Sequence, residues 1–202
     1  MALKVVFDVG NVLVRWDPRN LYYRMFDDPA EMEWFLAHVC TGEWNHAQDR
    51  GRPWAEAIEA AVREHPRYET HIRAFRGRWH EMVAGLIDRN VRLLEGFRQR
   101  GIPTYAITNF AADTFGETQD RFPVLKGFDG IVCSGEEKVC KPEAKIFHIL
   151  LERYHLKAED CIFIDDSDRN ISQAARLGFR TIHYGLGIDA ALAFRQLGLP
   201  IE

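Results

Sequence analysis

The sequence lacks a hydrophobic run long enough to cross a membrane. No apolar segment approaches the roughly 20 residues that span a bilayer. The N-terminal segment 1–7 meets Asp8 too early to form the hydrophobic region of a signal peptide. We therefore expect a cytoplasmic protein that has no membrane partner.

Paired cysteines and an excess of charge of either sign are also absent. The four cysteines form no CxxC pair, which argues against a zinc site and favours reduced, mostly buried thiols. Lys and Arg total 26 against 30 for Asp and Glu, so the formal net charge is −4. This near-balance offers no basic surface for sequence-independent nucleic-acid binding, and we expect no nucleic-acid partner.

What is present indicates a folded globular protein. Of the 202 residues, 47% are hydrophobic and 28% are charged, a composition too apolar for a disordered chain. The length suits one domain with a large insertion, or two small domains. It leaves open whether the protein is a monomer or a homodimer.

Short apolar runs alternate with helical patterns along most of the chain. The helical patterns cover 91–100, which ends at Gly101, then 142–154, with Pro142 at its predicted first position, and 168–177. Continuous apolar runs are typical of strands that are covered on both faces, so the alternation predicts a doubly wound α/β fold with a parallel sheet. The predicted strands are 3–9, 102–108, 128–133, 161–164 and 180–184.

The stretch from about residue 15 to residue 88 differs from the rest of the chain. It shows several helical patterns but no convincing strand run, and we interpret it as a helical insertion after the first strand. Most of its tryptophans are expected to fill a small helical core, because aromatic rings dominate the energetics of cores. The stretch holds every tryptophan of the protein: Trp16, Trp34, Trp44, Trp54 and Trp79.

Polar side chains follow the predicted strands at one edge of the sheet. Ligands of open α/β sheets bind outside the carboxyl ends of the strands. Carboxylates together with a lysine suit a divalent cation and a phosphate, although a single Asp at a strand end is often only a helix N-cap. The residues at this edge are Asp8, Thr108, Asn109, Lys141, Asp165 and Asp166.

Four motifs carry a resemblance to a known family. Their order, spacing and placement at strand ends resemble the haloacid dehalogenase-like (HAD) hydrolase superfamily, from the first strand to about Tyr184. The resemblance implies a Rossmann-like core, residues 1–14 and 89–202, and a small helical cap, residues 15–88. The motifs are Phe7-Asp8-Val9-Gly10-Asn11-Val12-Leu13, Ile107-Thr108-Asn109, Lys141-Pro142-Glu143 with Ile146-Phe147, and Phe163-Ile164-Asp165-Asp166.

The resemblance implies a Mg²⁺-dependent phosphatase in which Asp8 is the nucleophile. An ionised carboxylate can form an acyl phosphate that water then hydrolyses. Mg²⁺ would be held by Asp8, by the backbone carbonyl of Gly10, and by one or both of Asp165 and Asp166, of which we favour Asp166 as the direct ligand.

The same resemblance implies how a phosphate group would be held. The Thr108 hydroxyl and the Asn109 backbone N–H would bind phosphate oxygens, and Lys141 would balance the negative charge on Asp8 and the phosphate. The partner is then a small phosphorylated molecule.

Gly10 is a departure from the pattern of most phosphatases in the family. They carry a second Asp at this position, which protonates the leaving oxygen, and such a general acid contributes about 10²–10⁴-fold. The glycine is similar to a bacterial subgroup that resembles α-D-glucose-1-phosphate phosphatase, and a sugar 1-phosphate tolerates a missing acid because its anomeric hydroxyl is a better leaving group. Asp17 is expected either to stand in as the acid or to cap the helix that begins at Pro18.

Two other functions stay open at this stage. A 2-haloacid dehalogenase also uses an Asp nucleophile but needs no metal, and its relatives replace the paired acids that Asp165 and Asp166 preserve here. A non-catalytic domain that binds phosphorylated ligands is the third possibility. Substrate choice is expected to lie in the cap, where Trp44 and His46 are the candidate substrate contacts.

Overall fold

A computed structural model describes residues 3–185 and 187–199 of the chain. Within these residues the strands are β1 (Lys4–Phe7), β2 (Val14–Trp16), β3 (Val83–Leu86), β4 (Thr104–Thr108), β5 (Gly130–Cys133), β6 (Cys161–Asp165) and β7 (Arg180–His183). Five of them form a parallel sheet in the order β5-β4-β1-β6-β7, with each pair in parallel register. The predicted α/β fold and its five strands are confirmed.

Helices connect these strands. They are α1 (Arg19–Tyr22), α2 (Pro29–His38), α3 (Gly42–Asp49), α4 (Trp54–Glu64), α5 (Glu69–Gly77), α6 (Trp79–Met82), α7 (Asp88–Gln99), α8 (Ala112–Arg121), α9 (Ser134–Glu137), α10 (Ala144–Arg153), α11 (Asp168–Arg176) and α12 (Ala190–Gln196). Short 3₁₀ helices cover Pro66–Tyr68, Pro123–Lys126 and Ala158–Asp160. In the part of the chain that the structure describes, none of the helices is long and apolar enough to cross a bilayer.

Side chains of the central strands alternate between two hydrophobic cores, which is why the strand runs are apolar throughout. Val5 and Phe7 of β1 pack with residues of α7 and α12, whereas Val6 packs with residues of α10 and α11 on the opposite face. The four cysteines are buried and free, as the sequence predicted.

The start of α10 differs from the prediction. Its N-cap is Glu143 and the helix begins at Ala144, so Pro142 is not its first residue. Pro142 lies in a turn and its peptide bond to Lys141 is cis. The sequence signal was ambiguous because proline is favoured both in turns and at the first position of a helix.

The helical insertion contains α1 to α6 and lies between β2 and β3, which pair with each other as an antiparallel ribbon. The prediction that this stretch has no strand is therefore wrong. Both strands have three or four residues and are partly exposed, so neither produces a hydrophobic pattern that can be recognised. We call the six helices the cap.

The cap has its own aromatic core, as the tryptophan content predicted. Trp44, Trp54 and Phe75 contact one another, and Trp79 contacts Trp54, with ring centroids 5.2 to 6.0 Å apart. Trp34 is the exception, since 44% of its surface is exposed.

Candidate active site

The first strand ends at a buried carboxylate. Asp8 follows β1 directly and is 7% exposed. Its Oδ1 accepts the backbone N–H of Val9 at 2.7 Å and contacts the ammonium Nζ of Lys141 at 2.8 Å. The chain then turns tightly, because the N–H groups of Leu13 and Val14 both donate to the carbonyl of Val9. These contacts fix the orientation of the Asp8 carboxylate.

Lys141 lies between two carboxylates in the interior of the protein. Its Nζ is 2.8 Å from Asp8 and 2.6 Å from Oδ2 of Asp165, and its side chain is 1% exposed. The amide side chain of Asn109 holds the backbone of Lys141 from both sides: Asn109 Nδ2 donates to the Lys141 carbonyl at 3.0 Å, and the Lys141 N–H donates to Asn109 Oδ1 at 2.9 Å. The end of β4 thus positions the lysine.

The two adjacent carboxylates at the end of β6 have different surroundings. Asp165 is fully buried, and its oxygens accept from Lys141, from the Ser167 N–H at 2.8 Å and from Asn170 Nδ2 at 3.0 and 3.1 Å. Asp166 is exposed and lines the cavity described below. Asp165 therefore holds Lys141 in place, whereas the Asp166 carboxylate is accessible to a ligand.

Burial and the neighbouring charges perturb the acids of this cluster. The pKa of Asp8 is raised to about 7. Burial is the largest cause, the charge of Lys141 opposes it, and the charge of Asp165 adds to it. Burial lowers the pKa of Lys141, but the nearby carboxylates Asp165 and Asp8 raise it by more, so the lysine stays charged. The pKa of Asp166 is raised by burial and by the charge of Asp165.

The donor set fits a hard divalent cation. Asp8, Asp165 and Asp166 each offer a carboxylate oxygen, and these oxygens lie within 4.8 Å of one another. Like charges this close favour a bound cation that takes oxygen ligands. Beside them, the Oγ1 of Thr108 is buried and has no hydrogen-bond partner among the described residues, which leaves it available to a ligand oxygen.

A cavity of about 770 Å³ opens above this cluster between the core and the cap. The core contributes Asp8, Gly10, Asn109, Lys141 and Asp166 to its lining. The cap contributes residues of α3 and of the segment that follows it, and one wall is aromatic. The α3 side includes Asn45, His46, Asp49 and Arg50, and the aromatic wall consists of Trp16, Trp79 and Phe110.

A family model of the haloacid dehalogenase-like hydrolases matches residues 5–178. The chain belongs to this family. The matched range includes every strand-end residue of the cluster, so Asp8, Lys141 and the paired acids lie inside the region that the family model matches.

Two curated relatives of this HAD-like hydrolase match part of its length. Acyl-CoA dehydrogenase family member 10 of Mus musculus is 39% identical over 105 residues, which are 50% of this chain and 9% of that protein. Sesquiterpene phosphatase astK of Aspergillus oryzae is 28% identical over 109 residues, 54% of this chain and 56% of that protein. The chain therefore spans less than two thirds of the length of these relatives.

The fold is shared with solved structures. The HAD family enzyme bt-2542 of Bacteroides thetaiotaomicron, solved in complex with magnesium and inorganic phosphate, superimposes with a TM-score of 0.72 at 21% identity. The alignment covers 96% of this HAD-like hydrolase and 100% of that chain. At this identity the likeness supports the fold, and the chemistry of this chain has to be argued from its own residues.

The structure places the predicted cap residues in different surroundings. His46 is partly buried in the cavity wall, and burial lowers its pKa, as does the nearby charge of Arg50. Trp44 packs in the aromatic core of the cap and does not line the cavity. The carboxylate of Asp17 is about half exposed, lies outside the cavity lining, and accepts the N–H of Arg19 at 2.9 Å. We therefore leave Trp44 and Asp17 out of the proposed site.

Sequence reasoning missed the polar face of α3. Asn45, Gln48 and Asp49 are all buried, although each is polar. Their spacing of three and four residues places them on one side of the helix. This spacing was visible in the sequence, but only the structure shows that this side faces the core and that Asn45 and Asp49 reach the cavity.

Proposed function

We propose that this HAD-like hydrolase is a Mg²⁺-dependent phosphatase that hydrolyses a small phosphorylated metabolite through an aspartyl-phosphate on Asp8. One observation carries the proposal. A buried ammonium group joins Asp8 to Asp165 at the edge of the sheet, and the exposed Asp166 brings a third carboxylate into the same cluster. This arrangement combines a fixed nucleophile with a site for a cation.

Mg²⁺ fits the donors that the chain offers. Asp8, Asp166 and the backbone carbonyl of Gly10 are the ligands we propose, because the oxygens of Asp165 are already occupied by four hydrogen bonds. The bound ion would neutralise charge on the phosphate and lower the pKa of Asp8, so that the nucleophile is ionised at neutral pH.

The residues of the chain divide the remaining work. An oxygen of Asp8 attacks phosphorus as the bond to the leaving oxygen breaks, and water later attacks the same phosphorus to release phosphate. Lys141 offsets the negative charge that the phosphate brings to this buried site. The Thr108 hydroxyl, which has no partner in the described structure, and the Asn109 backbone N–H would hold phosphate oxygens.

We propose a sugar phosphate as the substrate. Asn45 Oδ1 is buried in the cavity wall without a hydrogen-bond partner among the described residues, and a substrate hydroxyl would satisfy it. A phosphorylated isoprenoid is the second candidate. The aromatic wall of Trp16, Trp79 and Phe110 would pack against an apolar chain, and one relative carries the name sesquiterpene phosphatase.

The paired acids argue against the dehalogenase alternative. Displacement of a halide from carbon needs no metal, and it gives no role to an exposed carboxylate such as Asp166 beside two buried ones. Lys141 offsets only part of the negative charge of three carboxylates that lie this close together, which favours an additional cation.

Phosphate release tests this proposal directly. The substrates are p-nitrophenyl phosphate, α-D-glucose 1-phosphate and farnesyl phosphate, each assayed with Mg²⁺ and again with EDTA. We expect release that EDTA abolishes and that Asp8→Asn abolishes in a variant with an unchanged circular dichroism spectrum. The preferred non-aryl substrate decides between sugar and isoprenoid. Failure to release phosphate, combined with halide release from 2-chloropropionate, would show a dehalogenase; stoichiometric binding without turnover would show a binding domain.

A further inference from the structure

Gly10 leaves the proposed reaction without a proton donor on the core side of the cavity. An alcohol leaves as a poor alkoxide unless an acid protonates its oxygen. Outside the cluster of Asp8, Lys141 and Asp166, the titratable groups that face the cavity come mainly from the cap helix α3 and include Glu43, His46 and Asp49. Glu43 is exposed to solvent, which leaves His46 and Asp49 as buried or partly buried candidates.

Asp49 is in a position to protonate a substrate that fills the cavity. It is the last residue of α3, lines the cavity where this helix meets the core, and is 6% exposed. One turn earlier on the same helix, Asn45 Nδ2 donates to Asp49 Oδ2 at 3.3 Å. Asn45 also lines the cavity, so the pair forms a polar surface on the wall that covers the site.

We propose that Asp49 is the general acid of this hydrolase and protonates the leaving oxygen from the cap, in place of the acid that Gly10 cannot supply. The inference rests on the proposed phosphatase function. It assigns to the cap a catalytic role in addition to the recognition of substrate.

The surroundings of Asp49 keep a substantial fraction of its carboxyl group protonated at neutral pH. Burial raises the pKa of Asp49 to about 7, and the backbone N–H of Ala111 lowers it only in part. The titratable groups that face it from the core are the thiols of Cys133 and Cys140; burial raises their pKa values to about 12 and about 11, so both are neutral. His46 is the weaker candidate, because its lowered pKa leaves little imidazolium at neutral pH.

The proton balance is complete with Asp49 as the donor. In the first step an oxygen of Asp8 bonds to phosphorus, the bond from phosphorus to the leaving oxygen breaks, and that oxygen takes the proton of Asp49. In the second step the Asp49 carboxylate takes a proton from the water that attacks phosphorus, and the bond between phosphorus and Asp8 breaks. Asp49 returns to its protonated form and Asp8 to its carboxylate.

The test compares Asp49→Asn with wild type on two substrates. The readout is kcat/KM, which reports the first step alone, because the second step and its use of Asp49 as base are common to both substrates. For α-D-glucose 1-phosphate we expect kcat/KM to fall about 10²-fold or more, the usual contribution of a general acid. For p-nitrophenyl phosphate, whose phenolate leaves without a proton, kcat/KM should be unchanged. We expect kcat/KM of wild type on the sugar phosphate to decline at alkaline pH, and this decline should be lost in Asp49→Asn. Glu59→Gln, an exposed carboxylate of the cap outside the cavity, serves as the matched control.

A second variant separates catalysis from structure. A Cβ at Gly10 meets nothing within 4 Å, so Gly10→Asp places a new acid beside the site without a clash. We expect Gly10→Asp to restore sugar phosphate turnover to Asp49→Asn, whereas a merely structural role of Asp49 would not be rescued.

Each outcome decides the proposal. Equal losses of kcat/KM on both substrates, or no loss on either, would overturn it. If Asp49→Asn does not fold, the wild-type protein still provides a test: a kcat/KM that falls steeply as the leaving group becomes less acidic would show that no acid acts. Failure of the proposed function is distinct, because wild type would then release no phosphate from either substrate.

Discussion

Replacement of Lys141 by methionine tests the buried cluster in a protein without any ligand. The variant keeps the length of the side chain but leaves Asp8 and Asp165 without the ammonium that lies 2.8 and 2.6 Å from them. Removing one partner of a buried ion pair costs about 3–5 kcal/mol. Asp165 keeps its bonds from Ser167 and Asn170, so we expect a loss near the lower end, about 3 kcal/mol at pH 8.

The loss should depend on pH with a definite sign. Lys141 lowers the pKa of Asp8, so without it the folded variant holds a proton on Asp8 that the unfolded chain has released, and stability falls as pH rises above the unfolded pKa of 3.8. In wild type in EDTA we expect this fall only up to about pH 7, the raised pKa of Asp8. The variant should continue to lose about 1.4 kcal/mol per pH unit between pH 7 and 8.

Urea unfolding in EDTA at pH 5, 7 and 8 measures both effects. Lys145→Met, which removes an exposed lysine at the start of α10, is the matched control and should stay within about 0.5 kcal/mol of wild type. A Lys141→Met variant within about 1 kcal/mol of wild type at pH 8, or a loss that is the same at every pH, would refute the assignment of Lys141 as the counter-charge of two buried carboxylates.

Three further predictions follow from the same contacts. The unfolding free energy in EDTA should fall less between pH 4 and 7 in Asp49→Asn than in wild type, and the difference should be about 3 kcal/mol. The reason is that the folded-state pKa of Asp49, about 7, exceeds the unfolded value of 3.8, whereas the neutral amide cannot titrate. Asn109→Ala should lower stability by about 1–3 kcal/mol, measured by urea unfolding, since two hydrogen bonds to the backbone of Lys141 are lost. Asp166→Asn should weaken Mg²⁺ binding in calorimetry with little change in Tm, whereas Asp165→Asn should lower Tm.

The sequence predicted the central sheet and the core side of the site because both depend on local pattern. Buried parallel strands are continuous apolar runs, and Asp8, Thr108 and Asp165 follow such runs directly. Parallel strands bring their carboxyl ends to one edge of the sheet, so these residues lie close together whatever conformation the loops adopt. The resemblance favoured Asp166 over Asp165 as the metal ligand, and the structure adds that Asp165 is buried whereas Asp166 is exposed.

The residues that the cap contributes to the cavity were harder to predict, because they depend on which face of α3 lies against the core. Trp44 and Asp49 both belong to α3, yet Trp44 turns into the aromatic core of the cap whereas Asp49 reaches the cavity. The sequence pointed to the tryptophan because it is an aromatic residue beside polar groups, which could contact a sugar. The helical period decides the matter, since Asn45 and Asp49 lie four residues apart on one face, and no local signal states which face meets the core.

If the general acid lies on the cap, proton donation depends on the contact between cap and core. An acid at the position of Gly10, which belongs to the core, would not depend on that contact. Arg76 of α5 ties the cap to α8, with ion pairs of 3.0 Å to Asp113 and 2.7 Å to Glu117. If Asp49 is the acid, Arg76→Met should lower kcat/KM for the sugar phosphate about two- to fivefold, the effect of a weakened partly exposed ion pair, and leave kcat/KM for the aryl phosphate unchanged.

Arg73→Met is the matched control, because Arg73 lies on the same helix and its ion pairs among the described residues, both at 2.8 Å, are with carboxylates of the cap. It should change neither substrate. Cap contact matters for proton donation only if the proton comes from the cap. Equal effects of Arg76→Met on both substrates would therefore show that closure excludes water or orients the phosphate, and that the acid comes from elsewhere.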